Sequence, residues 1–231
     1  MSIENRLLSR LDDQDFKAIF PLLKKVDLAL KTVVLERDQK IEFVYFPENC
    51  TCSILALTDC VEPIEVGMVG YEGMTDMTVV AGDISRMRTI VQGPGTAWRM
   101  KAEDCVQALR DRPSFNETVM RFKEVVAIMF AYTALAHGSF TIEERLARWL
   151  LMSHDRVRRD QIPMIHEFLA AMLAVRRSGV TTAMHVLEGQ GAIKATRGMI
   201  TVRDRAKLLE LSGGSYGVPE AEYERLMRKA A

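Results

Sequence analysis

The sequence predicts an α+β chain: an N-terminal antiparallel β-roll of jelly-roll type, one long helix, and a C-terminal helical module closed by a β-hairpin. Three observations predict it. Strand-length runs recur between polar, Gly and Pro punctuation from about residue 28 to 101. A helical stretch opening at Pro113 carries apolar residues at alternating spacings of four and three. Then "EFLAAMLAVRRSGVTTAMHVLEGQGAIKATRGMITV" reads as helix, two-residue turn, helix and hairpin. The implied division is 1–112 for the roll, 113–138 for the long helix and 139–231 for the last module.

Residues 5–26 read as short helices, with Asp12 or Asp13 as N-cap and Pro21 as a break. The strand runs are "KTVVLE", "IEFVYFP", "TCSILALT", "PIEVGMVG", "RTIVQG" and "GTAWRM". Between the fourth and fifth, "GYEGMTDMTVVAGDISR" suits a loop with a helical turn. After "KAEDCVQALRDRP", Pro113 opens the long helix, which Gly138 is expected to end. Along it Val119, Phe122, Val126, Met129, Thr133 and Ala136 form an a/d stripe, suited to pairing with a second copy or to packing on the domain's own core. Thr141 and Glu144 make a capping box for the next helix. Pro163 is expected to open "PMIHEFLAAML", and Ala174–Val175 turns into "RRSGVTTAMHVLEGQ". "AIKA" and "MITV" flank the tight connection Thr196-Arg197-Gly198. The last part reads as helix, Gly-rich linker and helix. "SGGSYG" has neither the preceding strand nor the G-K-[ST] ending of a phosphate loop.

The 231 residues are 48% hydrophobic and 27% charged, with zero formal net charge. No apolar run reaches the roughly 18 residues of a membrane span. The amphipathic N-terminus has no signal-peptide pattern, so a cytoplasmic protein is expected. The neutrality hides an asymmetry: residues 1–139 carry 16 basic against 20 acidic side chains, and 140–231 carry 15 against 11. Within 156–207 there are ten basic and four acidic residues, which suits a polyanionic partner.

Helix, short turn, helix and hairpin is the order of a winged helix-turn-helix, whose second helix enters the DNA major groove by its N-terminal residues. Leu169, Val180 and Leu187 supply its buried spacings, and Ala170 allows a close helix crossing. Arg176–Thr182 form the exposed start of the second helix. Arg can bond guanine O6 and N7 in a bidentate fork, Ser and Thr can reach bases or phosphates, and the helix's positive end favours phosphate. Lys194 and Arg197, on or beside the wing, suit sequence-independent backbone contacts.

Together with "VYFPE" and "VGMVGYEGM" in the roll, this order of parts resembles the Crp–Fnr type of transcriptional regulator over nearly the whole chain. The resemblance implies a homodimer on a pseudo-palindromic operator in double-stranded DNA, with RNA polymerase as a further partner. It implies base reading by Arg177, Ser178 and Thr182, and backbone contacts by Arg176, Thr181, His185, Lys194 and Arg197. The best-known branches carry an acidic residue directly after the arginine. Ser178 stands there in this chain, so their operator is not expected. Ala174 fills a turn position usually held by Gly, at a cost of about 1 kcal/mol if its conformation is left-handed.

For the roll, the resemblance offers Glu72, Arg86, Arg88 and Thr89 as effector-pocket candidates. They depart from the nucleotide-binding pattern: Tyr71 displaces Glu72 by one place, and Met87, which cannot donate to a phosphate, follows Arg86. The first cysteine, Cys50, lies inside the roll, which argues against an N-terminal iron–sulfur cluster, and no His precedes His137 to ligate haem. No cofactor and no metal are expected. Cys50, Cys52, Cys60 and Cys105 match neither a structural zinc spacing nor a disulfide scaffold. They read as reduced thiols, with redox sensing as the alternative. The expected output is regulation of transcription, with an unknown effector or none. A cyclic-nucleotide or small-molecule binding module acting through protein contacts is the alternative, and a cupin-like enzyme lacks the strand histidines it would need.

Overall fold

The structure, a computed structural model, describes residues 3–164 and 166–228. The chain is anchored before the roll by Asn5, which is fully buried. Its Nδ2 donates to the carbonyls of Pro47 and Gly73 at 2.8 Å, and its Oδ1 accepts from the Leu7 and Leu8 amides at 3.1 Å. Helix α1 (Asp13–Ile19) is capped by Asp12, which accepts from the Asp15 amide at 2.7 Å. The expected helix to residue 26 is corrected here. Pro21 sits in a 3-10 turn, Phe20–Leu22, and Lys24–Leu28 form strand β1. Proline has no N–H to continue the helix ladder, and Lys24–Leu28 pair instead with a later strand.

The roll continues through β2 (Val33–Leu35), β3 (Phe43–Pro47), β4 (Thr51–Ala56), β5 (Ile64–Val69), β6 (Arg88–Gly93) and β7 (Gly95–Lys101). Two antiparallel sheets result, ordered β1-β7-β3 and β2-β6-β4-β5. Leu28, Tyr45, Cys50, Cys52, Val91 and Ala97 come from both sheets and form one buried cluster, so the roll is filled by its own side chains. Phe46, Trp98 and Met100 belong to the larger core shared with the helices.

Helix α2 (Ala102–Asp111) leads into α3 (Pro113–Ser139), 27 residues and about 40 Å long. Asp15 holds the start of α3, accepting from the Ser114 amide at 3.0 Å and the Ser114 hydroxyl at 2.8 Å. A carboxylate there complements the positive end of the helix. Gly138 lies inside α3 rather than ending it.

The a/d stripe is also corrected. Val119, Phe122, Val126, Met129, Thr133 and Ala136 are all buried within one chain, none above 5% exposed. They cannot form a seam with a second copy, because they pack on the chain's own elements. A Cβ on Gly73 would stand 1.9 Å from Phe122 Cζ, and one on Gly67 would stand 2.6 Å from Met129 Cε. Each such Val, Phe or Met contributes about 1.5–3 kcal/mol by leaving water, which fixes this face of α3 on the roll. The opposite face shows Met120, Ala127, Ala131, Ala134 and Leu135 to solvent.

Helix α4 (Ile142–Val157) has the expected capping box, with Thr141 and Glu144 bonding each other's backbone. Pro163 does not open a helix. It ends strand β8 (Gln161–Pro163), paired with Met199, and α5 (His166–Met172) follows. Ile165, within the expected "PMIHEFLAAML", lies outside the described residues. Then come α6 (Arg177–Gly189), β9 (Ile193–Thr196), β10 (Met199–Val202), α7 (Arg205–Leu211) and α8 (Val218–Leu226). Strands β8, β10 and β9 form the small wing sheet in that order. The hairpin closes over Arg197-Gly198, with Gly198 at φ +76°. Among the described residues no helix is long and apolar enough to cross a membrane.

Candidate nucleic-acid interface

The turn between α5 and α6 is set by backbone bonds: Leu173 donates to Leu169 at 2.9 Å and Val175 to Ala170 at 3.0 Å. Ala174 takes φ +52°, the left-handed conformation expected for that position. Val180, Ala183, Met184 and Leu187 then bury one face of α6 against α4 and α5. A Cβ on Gly179 would meet Ile142 Cδ1 at 3.2 Å, so a small residue lets the start of α6 seat on α4.

That seating leaves the other face in water. Arg176, Arg177, Ser178, Thr181, Thr182 and His185 are all exposed, at one-turn spacings from the start of the helix. Arg176 is the N-cap and offers no side-chain cap, while its carbonyl accepts from the Gly179 amide at 2.9 Å. The threonines are not idle: Thr181 Oγ1 donates to the Arg177 carbonyl and Thr182 Oγ1 to that of Ser178, both at 3.1 Å. Either hydroxyl must turn before it can donate to DNA.

Beyond the helix, Lys194 and Arg197 are exposed on the wing. Lys194 is engaged, its Nζ 3.0 Å from Glu188 Oε1, which also accepts from the Ala195 amide at 3.2 Å. These bonds hold the Glu188 carboxyl below its ordinary range, the lysine bond first. They also tie the wing to the end of α6.

The effector-pocket candidates are not brought together, and that expectation is corrected. Arg86 pairs with Asp38 and Arg88 Nε lies 2.8 Å from Glu36, both on the outside of the roll. Thr89 is buried, its hydroxyl donating to Asp76 at 3.1 Å. Glu72 turns away from them to Arg156 of α4, Nε to Oε1 at 2.8 Å. The thiols divide similarly: Cys50, Cys52 and Cys105 are buried and Cys60 is exposed. The bond with Cys50 and burial push the Cys52 thiol up, and burial pushes Cys105 up to about 12, which suppresses the reactive thiolate.

Sequence reasoning missed the contacts that join the roll to the last module. Trp149 Nε1 donates to Glu65 Oε1 at 2.9 Å, and Tyr223 donates to the Glu72 carbonyl at 3.0 Å. Arg148 and Arg156 sit on the buried side of α4. The usable signal was two arginines eight residues apart within an otherwise apolar helix face.

A winged helix whose second helix turns its polar face outward is the arrangement of a DNA-binding module. Residues 144–211 match the Crp-like helix-turn-helix domain. A putative Crp/Fnr-family transcriptional regulator from Eubacterium rectale superposes with a TM-score of 0.69 at 16% identity, over 90% of this chain and 98% of that one. FixK2 from Bradyrhizobium japonicum gives 0.70 at 15%, over 82% and 96%. A CRP-family transcriptional regulator from Thermus thermophilus gives 0.65 at 20%, over 83% and 97%. Comparison with curated protein sequences gives no match. At these identities the structures share the fold, and the helix-turn-helix match assigns the domain at residues 144–211. The chain therefore carries a Crp-like helix-turn-helix domain over residues 144–211 and is similar in fold, along nearly its whole length, to regulators of the Crp/Fnr type.

Proposed function

We propose that the chain works as a cytoplasmic homodimer that reads a pseudo-palindromic operator and meets RNA polymerase there. Residues 1–112 serve as input domain, 113–138 as dimerisation helix and 139–231 as reader. Arg177, Ser178 and Thr182 contact base edges. Arg176, Thr181, His185, Lys194 and Arg197 hold the backbone. The observation that carries this reading is the one-turn polar ladder from Arg176 to His185, outward on a helix whose other face is buried. Dimerisation uses the face of α3 that the chain's own core leaves open. Met120 and Leu135, 44% and 49% exposed, bracket the small residues Ala127, Ala131 and Ala134. Small residues allow two such helices to approach closely, and a two-fold pairing sets the readers one DNA turn, about 34 Å, apart.

Selection from random duplex DNA tests this. Wild-type protein should enrich a two-fold site, and Arg177→Ala should weaken binding to it by about 1–3 kcal/mol and relax one base per half-site. An unchanged site preference removes Arg177 from base reading. Enrichment of nothing removes the operator reading altogether.

A further inference from the structure

A cavity of about 320 Å³ lies outside the roll, between its edge, the buried face of α3, α4 and α8. We propose that it is a binding site for a small molecule with an apolar, ring-sized body and an amino group. Of the four effector-pocket candidates that the resemblance offers, Glu72 alone lines it; Arg86, Arg88 and Thr89, which include the proposed phosphate partners, do not.

Three features carry the assignment. First, the walls are fixed, so the space does not close. Arg156 is bonded to Glu72 at 2.8 Å, Arg6 to Glu224 at 3.0 Å, and Tyr223 to the Glu72 carbonyl at 3.0 Å. Clefts of about 300 Å³ or more at domain interfaces are the usual small-molecule sites. Second, one wall is apolar, made by Met68, Phe122, Val126 and Met129. A cavity of that volume holds on the order of ten waters. Those against the apolar wall lack bonding partners, so an apolar body displaces them favourably.

Third, the polar wall selects the sign of the ligand's charge. It holds four carboxylates, Glu72, Asp155, Glu220 and Glu224, against two guanidiniums, Arg6 and Arg156. Both guanidiniums already bond carboxylates of the same wall, so their charge is compensated and two carboxylates remain in excess. Asp155 is held by Arg205 at 2.7 Å. Glu220 bonds only the Gly217 amide, at 3.0 Å, among the described residues, which leaves it able to accept from an ammonium. Because the walls come from the roll, from α3 and from the reader's α4 and α8, an occupant would bridge input and output. That consequence rests on the reading proposed above, whereas binding itself does not.

The test uses the full chain, titrated calorimetrically with 1-naphthylmethylammonium and 1-naphthoate, which share a body and differ in charge. The amine should bind saturably, one per chain, at least about tenfold tighter than the carboxylate. Glu220→Gln keeps an oxygen for the Gly217 amide and should shrink that preference several-fold. Val125→Phe narrows the cavity and should abolish amine binding; should it fail to fold, Glu220→Gln carries the test alone. No saturable amine binding by about 1 mM, equal or tighter binding of naphthoate, or an unchanged preference in Glu220→Gln each overturns the proposal. Duplex binding is measured separately, so failure here and failure of the operator reading are distinguishable.

Discussion

Glu65 is the most informative residue to perturb. It lies on β5, 5% exposed, and accepts from the Ser53 hydroxyl and from Trp149 of α4. Burial raises its carboxyl to about 7 from an ordinary 4.5, despite the opposing bonds from Ser53 and Trp149 and the charges of Arg148 and Arg156. At about 1.36 kcal/mol per pH unit, ionising it in the native state costs about 3 kcal/mol more than in the unfolded chain. The sign follows from the raised value. Below pH 4.5 both states are protonated and the native state carries no charge penalty. Between 4.5 and 7 the unfolded chain ionises first, so stability falls as pH rises, and the loss is complete above 7.

Glu65→Gln keeps an acceptor for Trp149 and removes the titration. Urea unfolding of wild type and variant from pH 4.5 to 8 should therefore diverge, the variant gaining about 3 kcal/mol relative to wild type across that range. Other buried groups titrate nearby: burial raises Asp76 to about 6 and lowers His137. Both are present in each protein and largely cancel in the difference. Parallel curves would refute the claim that a buried Glu65 carries this penalty.

Three further outcomes follow from the geometry. Ala174→Gly should raise stability by up to about 1 kcal/mol in urea melts without changing the selected DNA site, because it relieves a left-handed alanine. Gly73→Ala should lower the unfolding midpoint by the equivalent of about 1–3 kcal/mol, since the new methyl meets the Phe122 ring. Leu135→Glu, on the open face of α3, tests the proposed pairing: wild type should sediment as a dimer and the variant as a monomer, with the fold intact by circular dichroism.

Much of the fold was legible because its signals are local. The roll strands alternate and are punctuated, Thr141 and Glu144 announce a helix start, and the α6 stripe gives its buried side. What was misread depends on distant partners. Pro163 has a φ compatible with a helix start or a strand end, and its pairing with Met199 decides between them. Lys24–Leu28 look polar and helical until β7 is placed beside them. The α3 stripe was correctly seen as buried, yet a helix apolar nearly all round does not say which side meets its own chain. The site divides in the same way. Exposure along α6 could be read from spacing, whereas the Arg156–Glu72 bond joins residues 84 apart and left no pattern in either neighbourhood.

The double duty of Glu188, gripping Lys194 and the Ala195 amide together, bears on how duplex sequence is discriminated. A hairpin free to swing could follow the sugar-phosphate track of any duplex once α6 had docked. Under the proposed reading, bonds from the last turn of α6 restrain the hairpin, so helix and wing would meet a duplex together and leave part of the adjustment to the DNA. Base steps that bend or narrow cheaply then gain affinity at positions no side chain touches.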